Sequence, residues 1–291
     1  MKTLQSFINS IHAVYPDFVV ENVRAHQGEG QFNDILVINQ SFIFRFARYE
    51  ASIENLAAEA RLLKAIGAEL PLAIPNPAYV NLKATPAVKV FMGYRLVPGE
   101  PLWRNRLLAM TDNQILERIA NQLGDFLTTM HHLPIHDFTD ELRGQDGLEE
   151  WTSLYVDIQQ HLFPLMRPEA RTEVSHHFEA YLHQAQLQKY ELCLRHGDFG
   201  PSNILYEPQT SKITGIIDFD SAGLGDPAID IAAISCYGES FFERFCAVYP
   251  AEAALLERAR FYKGTYALQE ALHGFKNNDR QAFDAGMAKY I

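Results

Sequence analysis

Cysteine is scarce in this chain: Cys193, Cys236 and Cys246 are the only three, an odd number with no CxxC pair. That excludes a disulfide framework and Cys-rich zinc spacings, and it predicts reduced, mostly buried thiols in a cytoplasmic protein. Basic residues are outnumbered, with 25 Lys and Arg against 36 Asp and Glu and a formal net charge of −11. A broad nucleic-acid surface needs clustered Lys and Arg, so no nucleic-acid partner is expected, whereas a cationic small molecule is compatible with the acidic balance. No apolar run approaches the roughly 20 residues of a bilayer span. Gln5, Asn9, Ser10 and His12 interrupt any secretory h-region near the N-terminus, so no membrane partner is expected either. GxxxxGK[ST], GxSxG and HExxH are all missing. Their absence removes P-loop NTPases, hydrolases with a nucleophile elbow and HExxH zinc enzymes.

What is present is a soluble, globular composition, 47% apolar and 21% charged over 291 residues, a length at which cores split into two lobes. Leu4, Phe7, Ile8, Ile11 and Val14 fall at helical spacing. "DFVVENVRA" reads as a strand, "HQGEGQFN" as a loop, and "DILVINQ" with "SFIFRFARY" as a hairpin turning at Asn39, Gln40 and Ser41. A helix is predicted from Ser52 to Ile66, then a proline-punctuated extended stretch, then the strand "AVKVFMGYRLV". "PGEPL" marks a linker, so residues 1–97 form a small sheet-rich lobe and residues 98–291 a larger, mainly helical one.

In the second lobe, Thr111 and Gln114 read as a capping box before a helix with Leu116, Ile119, Leu123, Phe126, Leu127 and Met130 on one face. Two further helices follow, one through Trp151 and one opening at Pro168. Period two then returns in "ELCLR", "NILYEP" and "ITGIIDFD", with "QTSK" as a hairpin turn between the last two. Helices resume at "DPAIDIAAIS", where Asp226 can cap and Pro227 suits the first position.

The hairpin gives "RHGDFGPSN" its meaning. Its glycines and proline make a turn, and "IIDFD" ends the partner strand, so Asp198, Asn203 and Asp218 fall at one end of a single ribbon. Asn203 and Asp218 offer the hard oxygen ligands that Mg²⁺ prefers. Asp198 beside them can accept a proton from a hydroxyl attacking phosphorus, chemistry that depends mainly on positioning and charge stabilisation.

H-x-D with an asparagine five residues after the aspartate, followed by "IDF" and "GDPAID", resembles the aminoglycoside phosphotransferase family, small-molecule relatives of the protein kinases. The chain is most similar to the aminoglycoside 2''-phosphotransferase type. The ordered series "FIFRFAR", "NLAAEARLL", "MGYRLVPGEPL", "LGDFLTTMHHL", "HGDFGPSN" and "IDFDSAGLGDPAID" spans about residues 25 to 275. The resemblance implies an α+β, bilobal, protein-kinase-like fold that binds ATP or GTP with Mg²⁺ in the cleft. It implies Asp198 as catalytic base, Asn203 and Asp218 as metal ligands, and the backbone from Arg95 to Val97 as the partner of the nucleotide base. It places Arg45 where these enzymes carry a phosphate-gripping lysine, with Glu59 as its partner and Glu54 as the fallback. A guanidinium keeps the charge and offers a planar fork, so the role can survive. Gly28 and Gly30 match the loop that covers the phosphates, although Asn33 stands where a third glycine would complete the signature. Tyr94 is either a bulky residue at the inner edge of the hinge, of the kind that accompanies GTP use, or a core aromatic.

The implied reaction moves the γ-phosphate to a hydroxyl of an aminoglycoside or related amino sugar. Acids that would hold such a substrate are thin after "GDPAID": Glu239 in "SCYGES" and the later Glu270. Amino alcohols, homoserine-like compounds and macrolides therefore stay open as acceptors, and Arg45 keeps open a pseudokinase that binds nucleotide without transfer. A monomer or weak dimer is expected. Asp226 and Asp230 read as a cap and a structural anchor, and His196 as a residue that orients the loop. His131, His132, His176, His177 and His183 read as solvated helix histidines, while Trp103 and Trp151 pack or line the cleft.

Overall fold

The computed structural model describes residues 3–25, 33–83, 85–134, 148–187 and 190–291. The first lobe runs α1 (Leu4–His12), β1 (Val23–Ala25), β2 (Asn33–Ile38), β3 (Phe42–Ala47), α2 (Ile53–Ile66), β4 (Tyr79–Asn81) and β5 (Phe91–Arg95). Its strands form one antiparallel sheet in the order β1-β2-β3-β5-β4. The β2–β3 hairpin turns on Asn39 and Gln40, both with φ near +50°, the left-handed pair that matches strand twist. The strand expected over "DFVVENVRA" is cut to its last three residues, and Asn39 supplies the reason. Its side-chain oxygen accepts from the backbone N–H of Glu21 (2.9 Å) and Asn22 (3.2 Å) and its amide donates to the Val19 carbonyl (2.8 Å), which diverts those groups from a ladder. "AVKV" likewise begins as a 3₁₀ turn over Ala87–Lys89 before β5 starts.

Alternation along the strands assigns the two faces of the sheet. Phe44, Phe46 and Phe91 join Phe7 and Ile11 of α1 in one apolar cluster, while Met92 and Tyr94 join Leu56 and Leu63 of α2 in the other. Arg45 stands between Phe44 and Phe46 in sequence and so points to the α2 side, where Glu59 lies.

The second lobe runs β6 (Glu100–Pro101), α3 (Arg104–Leu108), α4 (Asn113–His131), α5 (Leu148–His161), α6 (Pro168–Leu187), β7 (Cys193–Arg195), β8 (Ile204–Glu207), β9 (Lys212–Ile216), β10 (Gly223–Gly225), α7 (Ala228–Ser235), α8 (Glu239–Cys246), α9 (Ala253–Asn277) and α10 (Arg280–Met287). Helix α4 buries Ile119, Leu123, Phe126, Leu127 and Met130 as its spacing predicts. Its cap differs from the expected Thr111–Gln114 box. Asp112 is the N-cap, and its carboxylate accepts from the N–H of Gln114 (2.8 Å) and Ile115 (3.3 Å), a stronger acceptor one residue closer to the helix. β8 and β9 form the expected hairpin, and β7 pairs with β10. The lobes are stitched where Ala73 bridges Gly215 in parallel and accepts a hydrogen bond from Ile216 N–H (2.9 Å). None of the three cysteines is bridged to another; Cys193 is buried and the other two are half-buried. Among the described residues, no helix is long and apolar enough to cross a membrane.

Candidate active site

The β8–β9 hairpin sets the frame of the site. Ile204 pairs with Ile216, and Ile217 N–H donates to the Asn203 carbonyl (2.9 Å), so the ladder runs one step past the strands and leaves Asn203 and Asp218 side by side at its end. Asp218 has φ +67°, a left-handed conformation that a residue other than glycine rarely adopts, and its side chain stays 43% exposed. Asn203 is buried, and its amide nitrogen donates to both the Asp198 carbonyl and Asp198 Oδ2, each at 2.8 Å. Both bonds use nitrogen, so Asn203 Oδ1 takes no part in holding Asp198. Asp198 itself is exposed.

Beneath this loop the anchors are buried. Gly197 has φ +83°, and an added Cβ there would run into the Ser221 carbonyl, so this turn needs glycine. Asp230 is fully buried and accepts from His196 N–H (2.8 Å), Gly197 N–H (2.9 Å) and His131 Nε2 (3.1 Å). Burial alone would raise its pKa, but the His131 hydrogen bond and the charges and N–H groups around it outweigh that, so the carboxyl is held below the usual range. His196 accepts from Asp198 N–H at Nδ1 (3.2 Å) and so donates from Nε2 to the Ile217 carbonyl (3.1 Å), bracing the loop against the end of β9. Asp226 caps α7 through Ala228 N–H (3.0 Å) and also takes a two-pronged grip from Arg258, at 2.6 and 3.0 Å.

His131 corrects the expectation of a solvated histidine. It is buried, with Nδ1 at 2.9 Å from the Tyr249 hydroxyl and Nε2 on Asp230, because α4 turns that face toward α7 and α8. His177 is half-buried as well: its ring bonds the Phe261 carbonyl (3.0 Å), and burial lowers its pKa.

From the first lobe, Arg45 reaches down to the loop. One guanidinium nitrogen lies 2.5 Å from Glu59 Oε1, the other 3.3 Å from Asp218 Oδ1 and 3.9 Å from Asp220 Oδ2. Glu54, the fallback, pairs with Arg61 instead (3.1 Å). Burial alone would weaken the Arg45 cation, but Glu59, Tyr94, Asp218 and Asp220 together raise its pKa, so the charge is kept. Burial pushes the Glu59 carboxyl up to about 7 against the pull of Arg45. Arg45 Nε and Glu59 Oε2 are buried without a partner among the described residues. Asp220, which the sequence reading did not single out, is raised by burial and by Asp218 beside it.

Tyr94 is buried, with its hydroxyl beside Arg45. The phase of the β3–β5 ladder follows from Leu96 N–H donating to Ser41 (2.8 Å) and Ala47 N–H to Val90 (3.1 Å). Residues 91, 93 and 95 therefore turn their backbone groups away from β3. Gly93 O accepts from Ala78 N–H on the β4 side (2.9 Å), and Arg95 lies past the last β4 pair. Val97 sits against Gly215 of β9. Gly28 and Gly30 lie outside the described residues.

A cavity of about 470 Å³ opens beside Asp198, between the loop, α5, α7 and α9. Glu150, Trp151, Tyr266 and Gln269 line it; Glu239 and Glu270 are exposed and do not. Each residue of a helix turns the side chain by about 100°, so Gln269 faces the cavity while Glu270, its neighbour, points elsewhere. Trp103 is 54% exposed and lies outside the lining. Among the described residues, no cluster of three or more His, Cys, Asp and Glu has a metal-binding arrangement. A cation here would rely on the Asn203 amide oxygen, the Asp218 carboxylate and oxygens from a ligand.

Residues 23–262 match the Phosphotransferase enzyme family. Over its whole length the chain is 26% identical to the whole of viomycin phosphotransferase from Streptomyces vinaceus. It is 25% identical, over 50% of the chain and 57% of the relative, to an aminoglycoside 3'-phosphotransferase from Streptomyces fradiae. The fold is similar to that in the GDP and kanamycin complex of APH(2")-IIia, with a TM-score of 0.87 and 23% identity over 97% of this chain and 96% of that one. The GDP complex of wild-type aminoglycoside 2'-phosphotransferase-IIIa gives 0.86 and 22% over 99% and 97%. The chain belongs to the phosphotransferase enzyme family, as an enzyme that transfers phosphate to an alcohol.

Proposed function

We propose that this protein moves the γ-phosphate of ATP or GTP to a hydroxyl of an aminoglycoside or a related hydroxylated amine, viomycin included, with Asp198 as the base. The observation that carries the reading is the Asn203 amide, which holds Asp198 through two hydrogen bonds at the mouth of the cavity. An exposed carboxylate fixed in this way can take the proton of an acceptor hydroxyl as it approaches phosphorus. The hydroxyl enters from the cavity side, and the nucleotide lies toward Arg45 and the open backbone of Arg95. Arg45, pinned between Glu59 and Asp218, presents a fixed positive charge to the phosphates from above the loop.

The donor set suits Mg²⁺. Asn203 Oδ1 is left over from the bonds to Asp198, Asp218 is partly exposed at the end of the ribbon, and both are hard oxygen ligands. Bound between them, the ion would neutralise the phosphate oxygens. With a cation held there, the Asp218 carboxylate would have two partners, the ion and the Arg45 nitrogen now 3.3 Å away.

The test is direct assay of phosphate transfer from ATP and from GTP, with Mg²⁺, to kanamycin and viomycin. Asp198→Asn is expected to slow turnover by about 10²–10⁴ while nucleotide still binds, the usual scale for a positioned base. Near-normal turnover of that variant would remove Asp198 from the role, and nucleotide binding with no transfer to any hydroxylated amine would favour the pseudokinase.

A further inference from the structure

Arg45 holds groups of both lobes at once. Its backbone lies mid-sheet on β3, between Ile35 of β2 and Met92 of β5, so the root of the side chain is fixed by two neighbouring strands. One nitrogen, Nη1, lies 2.5 Å from Glu59 Oε1 on α2, and the side chains of this pair are only 6% and 2% exposed. The other, Nη2, lies 3.3 Å from Asp218 Oδ1 and 3.9 Å from Asp220 Oδ2, just past β9 of the second lobe. We infer that Arg45 is a strap between the lobes, which positions Asp218 and Asp220 against the first lobe and needs a guanidinium to do so. This role goes beyond facing the phosphates and does not depend on it.

The place of the strap gives it leverage. The chain crossing at Val97 and the bridge at Ala73 meet at one spot, because an added Cβ at Gly215 would stand 2.5 Å from both Val97 Cγ1 and the Ala73 oxygen. Contacts gathered at one spot let two bodies rock about it. Arg45 acts beyond that spot, on the turn where Asp218 holds φ +67°. With its root in β3 and one nitrogen on α2, it ties this turn to two elements of the first lobe. A guanidinium suits the task because its nitrogens lie in one rigid plane and reach two acceptors in different directions. A lysine carries all its N–H groups on one atom at the end of a flexible stem, so an ammonium that keeps Glu59 gives up the second reach.

Hydrogen exchange of the ligand-free, full-length protein, read residue by residue by NMR, tests the strap. The reporter is the Ile216 amide, which donates across the lobes to the Ala73 carbonyl (2.9 Å). The amides of Ala78 and Leu102, bonded to Gly93 within the first lobe and to Ile204 within the second, serve as references. Arg45→Met should speed exchange at Ile216 by at least about tenfold relative to both references, equivalent to about 1.4 kcal/mol less resistance to local opening. Arg45→Lys should show most of the same effect. Asp218→Asn removes the charge with a residue that tolerates the left-handed turn, and it should fall between the parent and Arg45→Met. Asp220→Asn, at the longer distance, should do less. If Arg45→Met does not fold, the lysine and asparagine variants read the same contact from its two ends. Parent-like exchange at Ile216 in Arg45→Met, Arg45→Lys or Asp218→Asn overturns the inference. So does equal acceleration of all three amides, the mark of general destabilisation. Because these measurements involve neither nucleotide nor acceptor, their outcome is separate from that of the phosphate-transfer assay.

Discussion

Asp230 shows how much of the site depends on a residue that touches no substrate. Its two oxygens take two loop N–H groups and the His131 ring at once, so one carboxylate ties the His196–Gly197 turn, α7 and α4 together. Removing it strands buried donors, and breaking such a buried arrangement costs about 3–5 kcal/mol. Asp230→Asn keeps the volume but turns an N–H toward an N–H. Because the folded pKa lies below the ordinary 3.8, the stability contributed by ionised Asp230 is complete above that value and is lost as pH falls through the folded one. The Asn variant should therefore melt lower at neutral pH and lose less further stability on acidification than the parent. Melting curves of both proteins from pH 7 down to the acid limit check this. Parallel pH dependences would show that the carboxylate is not what the acid transition senses.

At the scale of elements, the ends of helices and strands carry information that the chain states locally. Two signals competed at the start of α4, Thr111 with Gln114 and Asp112 alone, and the carboxylate nearer the first turn prevailed. Asp112→Ala should destabilise the protein by about 1 kcal/mol, the usual value of an N-cap, with Thr111→Ala nearly silent. Urea unfolding of the two variants decides between them, and equal losses would mean that the cap is shared. The β2–β3 turn, the β8–β9 hairpin and the apolar face of α4 were legible for the same reason: period and turn chemistry lie within a few neighbouring residues. So was the gathering of Asp198, Asn203 and Asp218, because one hairpin joins them. What was not legible depends on distant partners. The burial of His131 requires Asp230 and Tyr249, 99 and 118 residues away. The pairing of β7 with β10 and the truncation of β1 by Asn39 are set by similar meetings. The cavity is the extreme case, since its wall comes from α5, α7 and α9 together, and a search for acids found Glu270 where the lining has Gln269.

For the whole molecule, the decisive contact is where the lobes are joined beside the proposed nucleotide cleft. Gly215 on β9 packs so closely that an added Cβ would stand 2.5 Å from both the Ala73 carbonyl oxygen and Val97 Cγ1. Ala73 belongs to the first lobe, and Val97 closes the segment assigned to the nucleotide base, so the glycine sets both the spacing of the lobes and the level of that segment. Gly215→Val forces these apart, and overpacking of this kind costs about 1–3 kcal/mol. Its effect on ligand binding should exceed its effect on the fold. A ligand that binds only the native state stabilises it by about 2.7 kcal/mol at a hundredfold excess over its Kd. The parent protein should therefore gain several degrees in Tm with Mg²⁺ and nucleotide, and the valine variant clearly less at the same concentrations. Melting each protein with and without nucleotide separates the two effects, because the ligand-free curve reports the strain alone. If the ligand-induced gain is the same in both, the junction at Gly215 holds the lobes without shaping the nucleotide site, and the segment from Arg95 to Val97 loses its support as the base-binding edge.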